Sequence, residues 1–468
     1  MKKWLIVLAM LLILIFAACG NRFAPMDYDY AFEGTIAEMN NTNELQPELL
    51  QEQVPEPTPE PTPEPTPPPR RAAIEAPQDE GDGLHWVGAW STSMYFGDVN
   101  SGNQGIRDTG IVARDRLENA TLRQLIRPAI GGDTIRLTFS NEFGETPLTI
   151  NAVSIAIASG RAGTPCIYTS TSTPITFDGS ASVTIPAGEF LTSDSVVFPV
   201  DALERVGVSI YFGEMPERVT AHIAARANSF TEEGDMTLVE SFMGRINTHW
   251  FVLCNFDVLV PEHYRSIVAI GDSLTDGFGV TGEAYTRWVD ILMNNLQAHE
   301  STQHLSVINM GIGGNGLVGS PHSNPPAVRY LFQRDVLEQP GVGYVVIQIG
   351  VNNMAFSPNI SPVAMIEAYA ELIEAAHAQG INVFLATITP YTPSGRIERE
   401  EYRNRINDWM RQQYADGVVY GLIDFDMLLR DPANPARILP AYDRDGIHPT
   451  NAGYRLMGEK LFEILYSR

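Results

Sequence analysis

The segment Gly271-Asp272-Ser273-Leu274-Thr275-Asp276-Gly277 follows an apolar run and sets Ser273 at a strand-to-helix turn. Backbone N–H groups at such a turn can face a developing anion. Three further segments carry groups that suit nucleophilic chemistry at that serine. Asn309-Met310-Gly311-Ile312-Gly313-Gly314-Asn315 and Gly350-Val351-Asn352-Asn353 follow later apolar runs, and Asp445-Gly446-Ile447-His448-Pro449 precedes the last helical pattern. Singly, these read as a capped turn, a glycine turn, an asparagine-capped loop and a surface histidine. Four such blocks in this order, each at the end of an element, do not read as coincidence.

Other chemistries lack their signatures. The serine is not in the G-x-S-x-G elbow of the α/β-hydrolases. No H-E-x-x-H or paired C-x-x-C is present and the nine histidines are scattered, so no metal centre is expected. No G-x-x-x-x-G-K-[ST] occurs, and Gly311-Ile312-Gly313-Gly314-Asn315-Gly316 has dinucleotide-loop spacing without opening a helix. No cofactor is implied.

Positioning these blocks requires strands that end near one another. After Pro261, apolar runs 266–270, 306–310, 344–349, 382–387 and 418–423 alternate with helical patterns at 285–296, 363–379, 398–414 and from about Asn451. This alternation predicts a parallel sheet covered on both faces, with the site outside the carboxyl ends of its strands. Residues 84–260 have a different rhythm. Ile135, Leu137 and Phe139 alternate with polar residues, as do Val206, Val208, Ile210 and Phe212 with small ones, and residues 181–185 read as a strand before a Pro186-Ala187-Gly188 turn. The expectation is an all-β sandwich of jelly-roll type. It meets the α/β domain (residues 261–468) near Val260-Pro261 without a flexible linker, so close packing is expected.

Lys2 and Lys3 precede an apolar run from Trp4 to Ile15 that ends in Phe16-Ala17-Ala18-Cys19. This reads as an export signal over residues 1–19, too short for a membrane span of about 20 residues. Small residues before a single cysteine resemble a bacterial lipoprotein signal, in which Cys19 is lipidated and tethers the chain to the outer face of the cell membrane. Residues 20–83 lack periodic hydrophobicity and include PEPTPEPTPEPTPPP from Pro55 to Pro69, an extended spacer that cannot bury a core. Cys166 and Cys254 leave a disulfide open.

The four blocks resemble those of the SGNH/GDSL hydrolases over about Ser266 to Arg468. The resemblance implies a flavodoxin-like α/β/α fold with Ser273 as nucleophile, His448 as base and Asp445 orienting it. It also implies an oxyanion hole formed by the N–H groups of Ser273 and Gly314 and the Asn352 amide. Asn353 departs from the family, which often has aspartate there. The paired Trp86 and Trp90 and the stretch from Thr121 to Asn141 are similar to the N-terminal domain of some bacterial members. Physical logic agrees with these roles. A serine hydroxyl needs a base to take its proton, one loop presents imidazole and carboxylate three positions apart, and an amide can donate to a tetrahedral oxyanion.

The implied activity is carboxylic-ester hydrolysis, with short acyl esters of polysaccharides as the expected substrates. The alternatives are a lipid acylhydrolase such as a lysophospholipase, or a non-catalytic carbohydrate-binding surface protein. The loops Gly311 to Pro326 and Thr389 to Gly395 are the expected walls, the second offering Tyr391 as an aromatic face to a sugar. Acidic residues outnumber Lys and Arg by 56 to 31, which argues against nucleic acid as a partner.

Overall fold

The structure is a computed structural model that describes residues 83–96, 117–216, 219–319, 326–357, 359–391 and 397–467. The expected signal, Cys19 and nearly all of the proline-rich spacer lie outside these residues.

The first half is built around its two largest antiparallel sheets, which share one core, with a three-stranded and a two-stranded sheet beside them. In one, β1 (Leu84–Ser91) pairs with the last strand of this half, Leu253–Pro261, which in turn pairs with Gly132–Ser140. In the other, Ala120–Ile126 lies between Val206–Phe212 and Ser229–Glu233. The alternation seen in sequence has its expected cause: Ile135, Leu137 and Phe139 from one sheet and Val206, Val208, Ile210 and Phe212 from the other are all fully buried. The intervening Gly207 and Ser209 are buried too, because the outer face of the second sheet is covered by loops. There the Arg123 guanidinium donates to Ser209 Oγ at 2.7 Å and to the carbonyls of Pro165 at 2.6 Å and Val239 at 2.7 Å. Cys254 is a free thiol, so it forms no bridge to Cys166.

The second half is a parallel sheet. Its strands are β2 (Arg265–Gly271), β3 (Leu305–Gly311), β4 (Val342–Gln348), β5 (Asn382–Ala386) and β6 (Gly421–Ile423), in the order β3-β2-β4-β5-β6. This is the flavodoxin-like order, with the first strand at the switch point. Ile267, Val268, Ala269 and Ile270 are buried on both faces, as a central strand between helical layers requires. The covering helices include α1 (Ser273–Asp276), α2 (Trp288–Gln297), α3 (Val351–Phe356), α4 (Pro362–Ala378), α5 (Ile397–Ala415) and α6 (Asn451–Tyr466).

Two boundaries lie three residues from the sequence expectation. α2 starts at Trp288 rather than at Tyr285, because Tyr285 takes a left-handed φ of 50° and the Asp290 carboxylate accepts from Arg287 N at 3.0 Å to cap the first turn. β6 starts at Gly421 rather than at Val418, because Gly417 (φ 70°) and Val418 close the end of α5, with Val418 N donating to Gln413 O at 2.9 Å.

The halves pack directly against one another without a spacer. Gly88 N donates to Pro340 O at 3.0 Å, Ser306 Oγ donates to Gly88 O at 2.6 Å, and Thr92 bridges Asn309 in parallel. Arg127 adds a bond to Asn294 Oδ1 at 2.8 Å.

Candidate active site

β2 ends at Gly271, and Asp272 caps the following turn by accepting from Leu274 N at 3.0 Å. The four-residue helix α1 then stops at Gly277, whose φ of 92° suits glycine, and both Gly277 N and Phe278 N donate to Ser273 O at 2.9 and 2.8 Å. Ser273 is therefore held on a short, rigid turn above the sheet. The sheet register sets Gly271 beside Gly311. A Cβ at Gly311 would lie 2.3 Å from Asp276 N, so only glycine admits this approach of β3 to the serine turn.

The Asp445–His448 loop precedes α6 and reaches the same point. Ser273 Oγ lies 2.8 Å from His448 Nε2, and His448 Nδ1 lies 2.8 Å from Asp445 Oδ2. The other carboxylate oxygen, Asp445 Oδ1, accepts from the backbone N–H of His448 at 2.9 Å and of Ile447 at 3.1 Å. Burial would raise the Asp445 carboxyl, but its hydrogen bond and attraction to His448 and these two N–H donors outweigh it and hold the carboxyl below the usual range. The Phe278 ring packs on the imidazole with centroids 4.2 Å apart. Serine, histidine and aspartate thus form one hydrogen-bonded row from two segments far apart in sequence.

The remaining expected residues sit on the two neighbouring loops. Gly314 has a φ of 77°, the left-handed conformation that turns the chain after β3. Asn352, buried at the start of α3, donates through Nδ2 to Asn315 O at 2.9 Å, which ties the asparagine block to the glycine turn. An amide nitrogen has two protons, so one remains for another acceptor. Asn353 explains its own departure from the family pattern: its Oδ1 accepts from Leu317 N at 2.6 Å while its Nδ2 donates to Gly319 O at 3.2 Å. An aspartate carboxylate could make only the first bond. Thr275 Oγ1 donates to Gln348 Oε1 at 2.8 Å and joins the serine turn to β4.

Asp272 is fully buried, and burial pushes its carboxyl up to about 7 against the backbone N–H groups of Leu274, Gly350 and Asp272 itself. Its Oδ2 has no hydrogen-bond partner.

Tyr391, expected to offer an aromatic face, is only 2 % exposed and packs in the core. Hydrophobic residues around it draw the ring inward, so it is not an open platform for a sugar. Ile312 and Leu317 are fully buried as well. Residues 320–325 and 392–396 of these two loops lie outside the described residues. Among the described residues no cluster of three or more His, Cys, Asp or Glu side chains is placed to hold a metal ion.

Four residues around the site were given no role from sequence. Phe278 lies just past the serine block, Asp276 lies inside it, and His222 and Arg226 belong to the β half, yet both reach Asp276 at 3.2 Å. The docking of the two halves brings His222 and Arg226 to Asp276, and the fold of the α/β half brings Phe278 to His448.

The hydrogen-bonded Ser–His–Asp row thus lies at the switch point of a flavodoxin-like α/β domain. Residues 269–456 match the GDSL-like Lipase/Acylhydrolase family, and the α/β half of this chain is a domain of that family. Similar solved structures include a member of the lipolytic G-D-S-L family from Veillonella parvula DSM 2008, with 20 % identity over 44 % of this chain and 100 % of that one, TM-score 0.34. An aryl esterase of M. smegmatis has 17 % identity over 43 % of this chain and 99 % of its own, TM-score 0.35. A carbohydrate acetylesterase from Sinorhizobium meliloti has 14 % identity over 43 % and 99 %, TM-score 0.35. No curated protein matches the chain significantly.

Proposed function

We propose that the chain is a serine esterase in which Ser273, His448 and Asp445 act as a triad. The supporting observation is the unbroken row of two 2.8 Å hydrogen bonds from Ser273 Oγ through His448 to Asp445. Asp445 accepts the Nδ1 proton, which leaves the Nε2 lone pair facing the serine hydroxyl. Ser273 Oγ attacks the ester carbonyl carbon and its proton passes to His448 Nε2. The negative charge on the former carbonyl oxygen is met by the N–H groups of Ser273 and Gly314 and the second proton of Asn352 Nδ2. Collapse expels the alkoxide, which takes the proton from His448. Water then repeats the sequence on the acyl-enzyme and releases the acid.

The preferred substrates in this reading are short acyl esters of polysaccharides, acetyl foremost. Long-chain selectivity needs continuous apolar surface, at about 0.8 kcal/mol for each buried CH₂. Of the sizeable hydrophobes Ile312, Leu317 and Val318 in the first wall, the first two are buried in the core and Val318 is half-buried against it. Phe356, 49 % exposed and one helical turn past Asn352, is the aromatic side chain proposed in place of Tyr391 to meet a sugar. The test is kcat/KM across p-nitrophenyl acetate, butyrate, octanoate and palmitate, followed by acetate release from acetylated glycans. A maximum at acetate or butyrate is expected. A maximum at octanoate or longer transfers the assignment to a lipid acylhydrolase, and glycan binding without turnover of any ester transfers it to a carbohydrate-binding protein.

On the N-terminal sequence we also propose that Cys19 is lipidated and holds the enzyme at the extracytoplasmic face of the cell membrane. Metabolic labelling with a fatty-acid probe should mark the wild type and not Cys19→Ala; equal labelling of the two removes the proposal.

A further inference from the structure

We infer that the β domain is a working part of the catalytic centre, with Arg226 as a positioning residue that aligns Ser273 and His448. This rests on the esterase reading above and extends it to a residue of the other half of the chain. Asp276 ends the serine turn and its side chain is 3 % exposed. Both of its carboxylate oxygens are engaged from the β domain: Oδ1 lies 3.2 Å from His222 Nε2, and Oδ2 accepts from Arg226 Nη2 at 3.2 Å. A buried carboxylate loses the solvation of water and depends on such partners, so the end of the serine turn goes where these two side chains hold it.

Arg226 also reaches the base. Its guanidinium carbon lies 5.5 Å from the centroid of the Phe278 ring, and that ring packs on His448 at 4.2 Å. Phe278 is itself tied to the nucleophile, since its N–H donates to Ser273 O at 2.8 Å, and its carbonyl accepts from Tyr454 Oη at 2.9 Å. One guanidinium therefore touches two side chains, of which one closes the turn that carries Ser273 and the other backs the imidazole.

The loop that carries Arg226 is built to keep it there. Ala224 and Arg226 take left-handed φ values of 64° and 58°, conformations that L-residues adopt only when their surroundings enforce them. The α/β half supplies the enforcement: Glu283 N donates to Arg226 O at 2.9 Å, and Glu283 Oε1 accepts from Asn228 N at 2.5 Å. His222 is fixed at its other nitrogen, which donates to Ser93 O at 2.8 Å, while the Ser93 hydroxyl bonds to Asp335. Contacts thus run both ways across the interface, and the strain sits at the residue that meets the serine turn.

The experiment uses the full-length chain with p-nitrophenyl acetate, reading kcat and KM separately. Arg226→Gln should lower kcat about 10- to 100-fold, the scale of a misplacement near 1 Å, with KM within about twofold of wild type. Arg226→Lys should recover part of that loss, because it retains the charge. Asp276→Asn should lower kcat similarly, and Arg226→Gln on that background should add less than about twofold, since both substitutions break one link. Arg226→Gln with kcat within twofold of wild type, a loss confined to KM, or losses that multiply in the double variant would each overturn the inference. If Asp276→Asn fails to fold, the two Arg226 variants decide alone. Ser273→Ala separates the two readings. Wild type active, Ser273→Ala inactive and Arg226→Gln unchanged sinks the positioning role alone, whereas an inactive wild type or an active Ser273→Ala sinks both.

Discussion

Two aspartate–histidine pairs flank the same serine, and they differ in every respect that matters to proton transfer. Asp445 and His448 stand three positions apart on one loop, with side chains 40 % and 15 % exposed, and the imidazole has its far nitrogen against a hydroxyl. Asp276 and His222 come from different halves of the chain, are 3 % and 4 % exposed, and have every side-chain nitrogen and oxygen engaged by another side chain or a backbone carbonyl. The first pair meets a serine hydroxyl at its far nitrogen, a partner that has a proton to give, and in the proposed reading it moves that proton. The second meets a backbone carbonyl there and an arginine at the carboxylate, so the same two residue types serve as an anchor. Residue chemistry alone does not define a catalytic dyad; the group at the imidazole's far nitrogen does.

The comparison breaks most clearly at the serine and the open pair. Ser273→Ala or His448→Ala should each reduce kcat on the order of 10⁴–10⁶-fold without unfolding the chain, because they act as one unit. His222→Gln should cost far less. Steady-state kinetics beside a circular-dichroism melt measure both, and equal losses at the two histidines would erase the distinction.

A smaller effect is expected at Asn352, the proposed oxyanion donor. Asn352→Ala should lower kcat on the order of 10²–10³-fold with little change in KM, since the bond it offers forms with the transition-state oxygen. A change seen only in KM would place Asn352 in ground-state binding instead.

The smallest concerns Asp272, the buried acid beside the nucleophile. Its folded value is pushed up to about 7, above the ordinary carboxylate value of 3.8. A group raised on folding favours the fold fully below its unfolded value, and that advantage is lost as pH rises through the folded one. Asp272→Asn keeps a capping oxygen and removes the charge. The variant should therefore gain thermal stability relative to wild type on going from pH 5 to pH 8, by about 2–4 °C. A difference that does not change with pH would mean that Asp272 remains in one protonation state throughout.

Much of this molecule was legible before any coordinates. The βα alternation after Pro261 follows from buried strands such as Ile267 to Ile270 between amphipathic helices, and the structure has the five expected strands. The four blocks were legible because each is local, its geometry set by a turn, a cap or a three-residue spacing. Boundaries failed where backbone conformation overrode pattern, at Tyr285 and Gly417, whose left-handed φ values are set by the caps around them. Tyr391 failed for a different reason: its loop position suggested exposure, whereas neighbouring apolar side chains took the ring into the core.

By itself the sequence marked the groups proposed to do chemistry at Ser273, since serine, histidine, aspartate and amide donors are picked out by type and by place along strands and loops. Which residues hold those groups still was decided only by tertiary structure. The Asp276 carboxylate meets His222 and Arg226 across 54 and 50 positions, and nothing in either segment records the other. Local conformation follows short-range hydrogen bonds and hydrophobic period, but a buried ion pair between domains exists only once both surfaces have lost their water to each other.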